Sequence, residues 1–299
     1  MAPERGTLDV LTTDAQIESV HFDRAFVPPH AIGHRALAVN LSDLAAMGAR
    51  PRAALLSLAL PDALGVDVLD GLIDGLVALA GSHHVAVVGG NITRSPGPMM
   101  VDVTAIGSVR PRRVLRRSGG RPGDEVYVTG MLGDAAVGLA ALRENAGATG
   151  ACVDRYLRPV PRVRAGALLG ANRVATSCVD LSDGLADGLR QLAGACGYGM
   201  AIDQEALPIS PAAREWLAGR AQEPVEAAAI ETALTGGDDY ELLFTMRPSH
   251  RGRLRGVQRL IADLPVTKIG VVTRGPDVIV RSAAGDRALP PGYEHFRRT

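Results

Sequence analysis

Apolar residues recur along this chain in two rhythms, one helical and one alternating, and the switches between them predict the elements. Residues 8–13 read as a strand. From 29 to 48 the small and apolar residues Ala36, Leu37, Val39, Leu41, Leu44, Ala45 and Met47 predict a helix that Gly48 stops. Residues 52–60 predict a strand, 66–82 an amphipathic helix, 85–88 a short buried strand ending in Gly89-Gly90, and 99–109 a longer alternating strand.

Residues 110–124 break the pattern with Pro111, Gly119, Gly120, Pro122 and Gly123, and carry arginines at 110, 112, 113, 116, 117 and 121. The segment reads as a domain junction, which divides the chain into 1–115 and 116–299. Taken alone, the basic run is a solvated linker. Beyond it the pattern predicts strands at 125–129, 174–179, 198–202, 240–245, 266–272 and 277–281. Between them it predicts helices at 134–143, 162–169, 184–196 and 250–261, with helical stretches between 211 and 234. Several of these strands can pair antiparallel, so the fold class is α+β, or mixed α/β.

Composition narrows the function classes. Lys+Arg and Asp+Glu both total 32 in 299 residues, so no global field favours nucleic acid or an anionic membrane. A chain 46% hydrophobic and 21% charged suits a globular protein and argues against disorder. The longest apolar stretches, such as 53–60, hold about eight residues against the roughly 20 that span a bilayer. The opening MAPERGTLDV has no signal-peptide core, so the expected location is cytoplasmic. Cys152, Cys178 and Cys196 form no CxxC pair and read as buried free thiols.

Common nucleotide and hydrolase motifs are missing. The single lysine, Lys268, lies between Thr267 and Ile269, which excludes a Gly-Lys-Ser/Thr phosphate loop. Gly197-Tyr-Gly199 is followed by Ile202 where a dinucleotide fingerprint needs its third glycine. No serine has the flanking glycines of a nucleophile elbow, and His83-His84 lacks metalloprotease spacing.

Two patterns occur once in each half. Leu41-Ser42-Asp43-Leu44-Ala45 is echoed by Leu181-Ser182-Asp183-Gly184-Leu185-Ala186, and Gly89-Gly90-Asn91 by Gly236-Gly237-Asp238-Asp239. Asp180 and Asp183 sit at a strand-to-helix turn, where side chains and free helix N–H groups face one ligand; a helix cap at Ser182 or Asp183 is the plainer reading of that motif alone. Together, Thr12-Thr13-Asp14, Asp43, Asp180, Asp183 and Asp238-Asp239 offer acidic oxygens at the ends of apolar segments without matched lysines. Such a set suits Mg²⁺, which takes a few carboxylates and completes its octahedron with water and phosphate oxygens. Arg117, beside Ser118-Gly119-Gly120, is the candidate to stabilise charge on a transferring phosphoryl group.

The motifs TTD (12–14), SVHF (19–22), ALAVNLSDLAAMGARP (36–51), GGNITR (89–94), RRSGGRPGDEVYVTGMLGDAAVGL (116–139), YLRP (156–159), VDLSDGLADGL (179–189), GGDDYELLF (236–244) and GYEHF (292–296) follow in order. Over essentially its whole length the chain resembles the thiamine-monophosphate kinases, within the wider superfamily of aminoimidazole ribonucleotide synthetase. The resemblance implies ATP-dependent transfer of the γ-phosphoryl group onto thiamine phosphate with several Mg²⁺ ions. It also implies a two-domain synthetase-like fold and a homodimer whose N-terminal sheets join into a barrel, with no nucleic acid or membrane partner. Carried over by position, Thr12, Thr13, Asp14, Asp43, Asp180 and Asp183 would ligate Mg²⁺; Gly90, Asn91, Arg117 and Ser182 would contact ATP; His21, Asp238 and Tyr293 would hold thiamine phosphate. Asp43, Arg117 and Asp183 would be the catalytic set. In this picture Tyr293 stacks on the cationic thiazolium and Asp238 offers it a counter-charge.

Two positions depart from the family pattern. Its Gly-Gly-Asp is Gly89-Gly90-Asn91 here, so an amide oxygen without charge replaces a carboxylate. Its Gly-Asp-Asp segment ahead of the TTD strand has no counterpart in the 11 residues before Thr12.

Overall fold

The computed structural model describes residues 4–292. The first half runs β1 (Leu8–Ile17), α1 (Pro29–Ala46), β2 (Arg50–Pro61), α2 (Val66–Ser82), β3 (Ala86–Ser95) and β4 (Met100–Val109). The second half opens with β5 (Glu125–Thr129), α3 (Asp134–Glu144), α4 (Ala151–Leu157), α5 (Val163–Ala171), β6 (Ser177–Asp180), α6 (Leu185–Cys196) and β7 (Met200–Asp203). It ends with α7 (Pro211–Ala218), α8 (Val225–Thr235), β8 (Leu242–Met246), α9 (Arg251–Leu260), β9 (Val266–Val272), β10 (Val278–Ser282) and β11 (Gly285–Ala288).

The first-half strands form a four-stranded sheet in the order β1-β4-β2-β3, and the second-half strands a seven-stranded sheet in the order β11-β10-β7-β9-β5-β8-β6. Most pairs are antiparallel; β2/β3 and β10/β7 are parallel. The α+β class therefore holds. Within one chain the four-stranded sheet is open at β1 and β3 rather than closed into a barrel.

Helix α1 is the strut that ties the halves together. Its residues are apolar or small nearly all round, so it is buried on almost every side, as such a helix must be. One side packs on α2, where Gly33 and Gly75 bring the backbones together: a Cβ on either would collide with the carbonyl oxygen of Leu72 or His30. Its C-terminal turn meets α5, where a Cβ on Gly166 would strike the carbonyl of Ala45. The same helix packs on β4 and β1 in front and on β6 behind.

Three expectations need correction. The strand expected at 85–88 runs through the glycine pair to Ser95 and is exposed along nearly all its length. Gly89-Gly90 is no turn: Gly90 pairs with Leu56, and a Cβ there would run into the Leu56 carbonyl, so glycine lets the edge strand lie against β2. The strand expected at 174–179 begins only at Ser177, because Val174 still closes the end of α5 by donating its N–H to the Leu169 carbonyl. Cys152 and Cys178 are buried as expected, but Cys196 is half-buried. Helix α4 and strand β11 were not expected. Among the described residues no helix is long and apolar enough to cross a membrane.

Candidate active site

A cavity of about 600 Å³ opens between the two halves. Helix α1 contributes Arg35, Val39 and Asp43, spaced by four residues and therefore on one face. Asp14 comes from β1, His21 and Phe22 from the loop after it, Asp180 from the end of β6, Ser182 and Asp183 from the turn that follows, and Asp238 and Tyr240 from the approach to β8. Most of the residues singled out in the sequence thus meet at one place, although Asp14 and Asp238 lie 224 positions apart.

The carboxylates gather where α1, β1 and β6 converge. Thr12 donates its hydroxyl proton to Asp43. Ser42, the residue beside Asp43, donates a 2.6 Å hydrogen bond to Asp180 Oδ2. Burial, followed by the charge of Asp43, pushes both Asp14 and Asp180 above the usual carboxylate range. The charge of Asp43 thus acts as a repulsion on both acids, and a cation placed among them would relieve it. Among the described residues no three His, Cys, Asp or Glu side chains close into a ready-made cage. The chemistry of the donors, carboxylate oxygens with the Thr12 hydroxyl beside them, fits Mg²⁺, which takes oxygen ligands and leaves part of its shell to water and phosphate. Thr13 does not join the set. It follows Thr12 on a strand and therefore faces the opposite side of the sheet, bonded to Asp102 at 3.2 Å and Thr104 at 3.0 Å.

Asp238 lines the same cavity, on the turn that approaches β8. Its backbone is left-handed, with φ 67°, and its N–H donates to the Ser182 carbonyl at 2.7 Å. Tyr240, also left-handed at φ 49°, donates from its hydroxyl to Asp238 Oδ1 at 2.8 Å. Arg35 Nη2 donates to Asp238 Oδ2 at 3.1 Å. The next acid along, Asp239, accepts from the Gly133 N–H through both oxygens, at 3.1 and 3.0 Å. Glu241 is fully buried and takes Arg155 at 2.5 Å, Arg162 at 2.5 and 2.6 Å and the Thr129 hydroxyl at 2.7 Å. This network clamps both ends of the 238–240 turn, which explains how a non-glycine residue holds a strained conformation.

His21 lines the cavity, and its Nδ1 accepts the Ile17 N–H at 3.0 Å. Ser182 is exposed in the 181–184 turn, with its hydroxyl 3.3 Å from Asp183 Oδ2. Thr12 reaches the cavity only through its bond to Asp43, Thr13 faces away, and three further residues are not brought to it within this chain. Gly90 and Asn91 lie on the exposed edge strand β3, and Arg117 is exposed ahead of β5, where its carbonyl accepts the Cys196 thiol at 3.4 Å. Tyr293 lies outside the described residues. Sequence reasoning missed Arg35, Tyr156 and Tyr240. Arg35 stands one place before the ALAVNLSD run, and the tyrosines sit inside YLRP and GGDDYEL, so the motifs held them without indicating a role.

The chain matches the family models described as AIR synthase related protein, N-terminal domain, over residues 2–109 and AIR synthase related protein, C-terminal domain, over residues 121–282. It is 38% identical to the thiamine-monophosphate kinase of Escherichia coli strain K12, over 98% of this chain and 88% of that protein. Among solved structures it superposes on the thiamine-monophosphate kinase from Stenotrophomonas maltophilia K279a with a TM-score of 0.84 at 40% identity, covering 93% of this chain and 86% of that one. It superposes on AaThiL complexed with AMPPCP and TMP with a TM-score of 0.86 at 33% identity, covering 99% and 89%. With both domains matched and this identity sustained along its length, the chain belongs to the thiamine-monophosphate kinase family of AIR synthase-related proteins.

Proposed function

We propose that this protein phosphorylates thiamine monophosphate to thiamine diphosphate, using ATP as the phosphoryl donor. The observation that carries the reading is the convergence of Asp14, Asp43, Asp180 and Asp183 from both halves on one cavity that Asp238 also lines. The AaThiL structure, solved with an ATP analogue and TMP, supports a pocket that takes both substrates.

The chemistry asks little of a general base. The terminal phosphate of thiamine monophosphate is largely dianionic near neutral pH, so its oxygen attacks the γ-phosphorus directly. A new O–P bond forms, the bond from the γ-phosphorus to the β,γ-bridging oxygen breaks, and ADP leaves with that oxygen. What the transition state needs is in-line placement and neutralised charge. Asp14, Asp43, Asp180 and Asp183, with the Thr12 hydroxyl beside them, would hold Mg²⁺. Held there, Mg²⁺ would supply positive charge that offsets the charge of the reacting phosphates. Asp43, Arg117 and Asp183 form the proposed catalytic set; Thr13, expected among the Mg²⁺ ligands, faces away within one chain.

Ser182 is assigned to ATP, and His21 and Asp238, with Tyr293, to thiamine phosphate. Gly90, Asn91 and Arg117 are also assigned to ATP, which requires that β3 and the segment before β5 approach a cavity in the assembled protein. The exposed apolar side chains of Val87, Val88 and Ile92 on β3 support such an assembly, because an unpaired apolar edge invites a second copy. In the proposed homodimer the two four-stranded sheets close into a barrel, residues 1–115 make the dimerisation domain and residues 116–299 complete the cleft. The cytoplasm is the proposed location, since ATP and Mg²⁺ are both supplied there.

Incubation of the purified protein with ATP, Mg²⁺ and thiamine monophosphate tests the reading. Thiamine diphosphate and ADP in equal amounts are expected by chromatography. Calorimetric binding of either substrate without turnover would instead identify a degenerate binding protein. ADP and free phosphate without phosphorylated thiamine would point to a relative that activates an acid or amide.

A further inference from the structure

Arg35 is among the least exposed residues of the chain, at 1% relative exposure, yet it carries a guanidinium. Burying that charge is costly unless each donor is answered. One face of the group stacks over the Tyr156 ring, 4.3 Å from its centroid. Nη1 donates to the Tyr156 carbonyl and Nη2 to Asp238 Oδ2, whereas Nε finds no partner. The only carboxylate paired with this buried cation, among the described residues, is Asp238. A core arginine kept at this cost, with an unanswered donor, is poor packing; as a fixture for one carboxylate it is well made.

The carboxylate it fixes faces the cavity. Asp238 has one oxygen on Arg35 and the other on Tyr240, so neither rotation about its side chain nor a change of tilt is open to it. The arginine also stands on the same face of α1 as Asp43, eight residues away, or about 12 Å along the axis at the usual helical rise. A single helix thus carries both Asp43 and the arginine that holds Asp238.

We propose that Arg35 is a positioning residue for the substrate: it fixes the orientation and charge of Asp238 and so sets affinity for the thiamine moiety while leaving the ATP side untouched. The inference rests on the kinase reading above and on the assignment of Asp238 to thiamine phosphate. Because the charge of Asp238 is already balanced by Arg35, the pair presents an oriented acceptor to the thiamine moiety rather than an uncompensated anion.

The test is a kinetic cycle in the full-length protein with R35K, R35Q, D238N and the double variant R35Q/D238N, alongside the unaltered chain. R35Q should raise KM for thiamine monophosphate by about tenfold or more, as expected when a buried charge partner is lost, with KM for ATP changing by less than about twofold. R35K should recover part of the loss, because it restores the charge but not the stacked fork. R35Q should add little in the D238N background, since the arginine acts through that carboxylate. Multiplicative effects of the two substitutions, or equal rises in both KM values, would overturn the proposal. Should R35Q fail to fold, R35K alone decides it through the same split between the two KM values. If the unaltered chain makes no thiamine diphosphate, the kinase reading itself has failed; if it does and the cycle is additive, only the role of Arg35 has.

Discussion

Ser42 Oγ, on α1 of the first half, donates a 2.6 Å hydrogen bond to Asp180 Oδ2 at the end of β6 in the second half. Both residues are buried, and the bond ties the first Leu-Ser-Asp pattern to the residue just ahead of the second, across the cleft. It lowers the proton affinity of an acid that burial and Asp43 otherwise raise. Ser42→Ala removes the donor and leaves a buried carboxylate oxygen unanswered, at a cost of about 1–3 kcal/mol. Urea unfolding should register that loss. The Mg²⁺ concentration for half-maximal turnover should rise too, because the ion then competes with a more firmly held proton.

Asp180→Asn should move stability and activity in opposite directions. Asp14, Asp43 and Asp180 repel one another without a counter-ion, so a neutral amide that still accepts from Ser42 relieves the apo protein by about 1 kcal/mol. Thermal unfolding in EDTA should shift upward. Turnover should fall by about a hundredfold or more, in line with losing an electrostatic ligand of the reaction centre. A variant with lower stability and full activity would show that the acid is a structural residue.

The fold and the site were legible to different degrees. Helix α2 follows directly from its apolar stripe, and strands β5 and β9 from short apolar runs that bury side chains on both faces of the sheet. The β3 edge was misread because a glycine pair signals a turn locally, and only the approach of the Leu56 carbonyl explains it. Asp14, Asp43, Asp180 and Asp183 were legible as oxygens at the ends of apolar segments. Arg35 was not: a buried cation has no signature in sequence, since its partner Asp238 lies two hundred residues on. The face of Thr13 follows from strand alternation, yet a contiguous TTD motif invites all three residues into one role.

Close packing of α1 on α2 gives a sharp contrast between two glycines of the same helix. Gly75→Ala would drive a methyl group into the His30 carbonyl, which is backbone and has nowhere to move. A destabilisation of about 2–3 kcal/mol is expected in urea. Gly81→Ala meets nothing within 4 Å and should be neutral or stabilising by up to about 1 kcal/mol through helix propensity. Because α1 carries Arg35, Ser42 and Asp43, Gly75→Ala should also depress turnover more than its loss of stability alone accounts for.

Glu125 at the start of β5 sets one part of the pH dependence of stability. The Arg251 hydrogen bond, aided by Lys268 at 3.1 Å, holds its carboxyl down at about 2 against an ordinary 4.5. A depressed carboxyl contributes stability that is complete above its unfolded value and is lost as pH falls through the folded one. The gap in unfolding free energy between the unaltered chain and Glu125→Gln should therefore be constant near neutral pH, narrow from about pH 4.5 downward and close near pH 2. A gap of unchanged size at low pH would mean that the glutamate acts by shape rather than charge.

The proposed assembly is testable at the edge strand β3. Val88 and Ile92 are 54% and 66% exposed on a strand whose outer edge has no partner strand among the described residues. Ile92→Glu places a charge on that edge, which natural edge strands use to block pairing. In the proposed homodimer it should shift the mass measured by sedimentation from two chains to one, with little effect on the unfolding of the single chain, because Ile92 packs no core of its own. Turnover should fall with the loss of the dimer, since Gly90 and Asn91 on the same strand are assigned to ATP and do not reach the cavity of their own chain. An active monomer would remove β3 from the nucleotide site and return Asn91 to an ordinary edge residue.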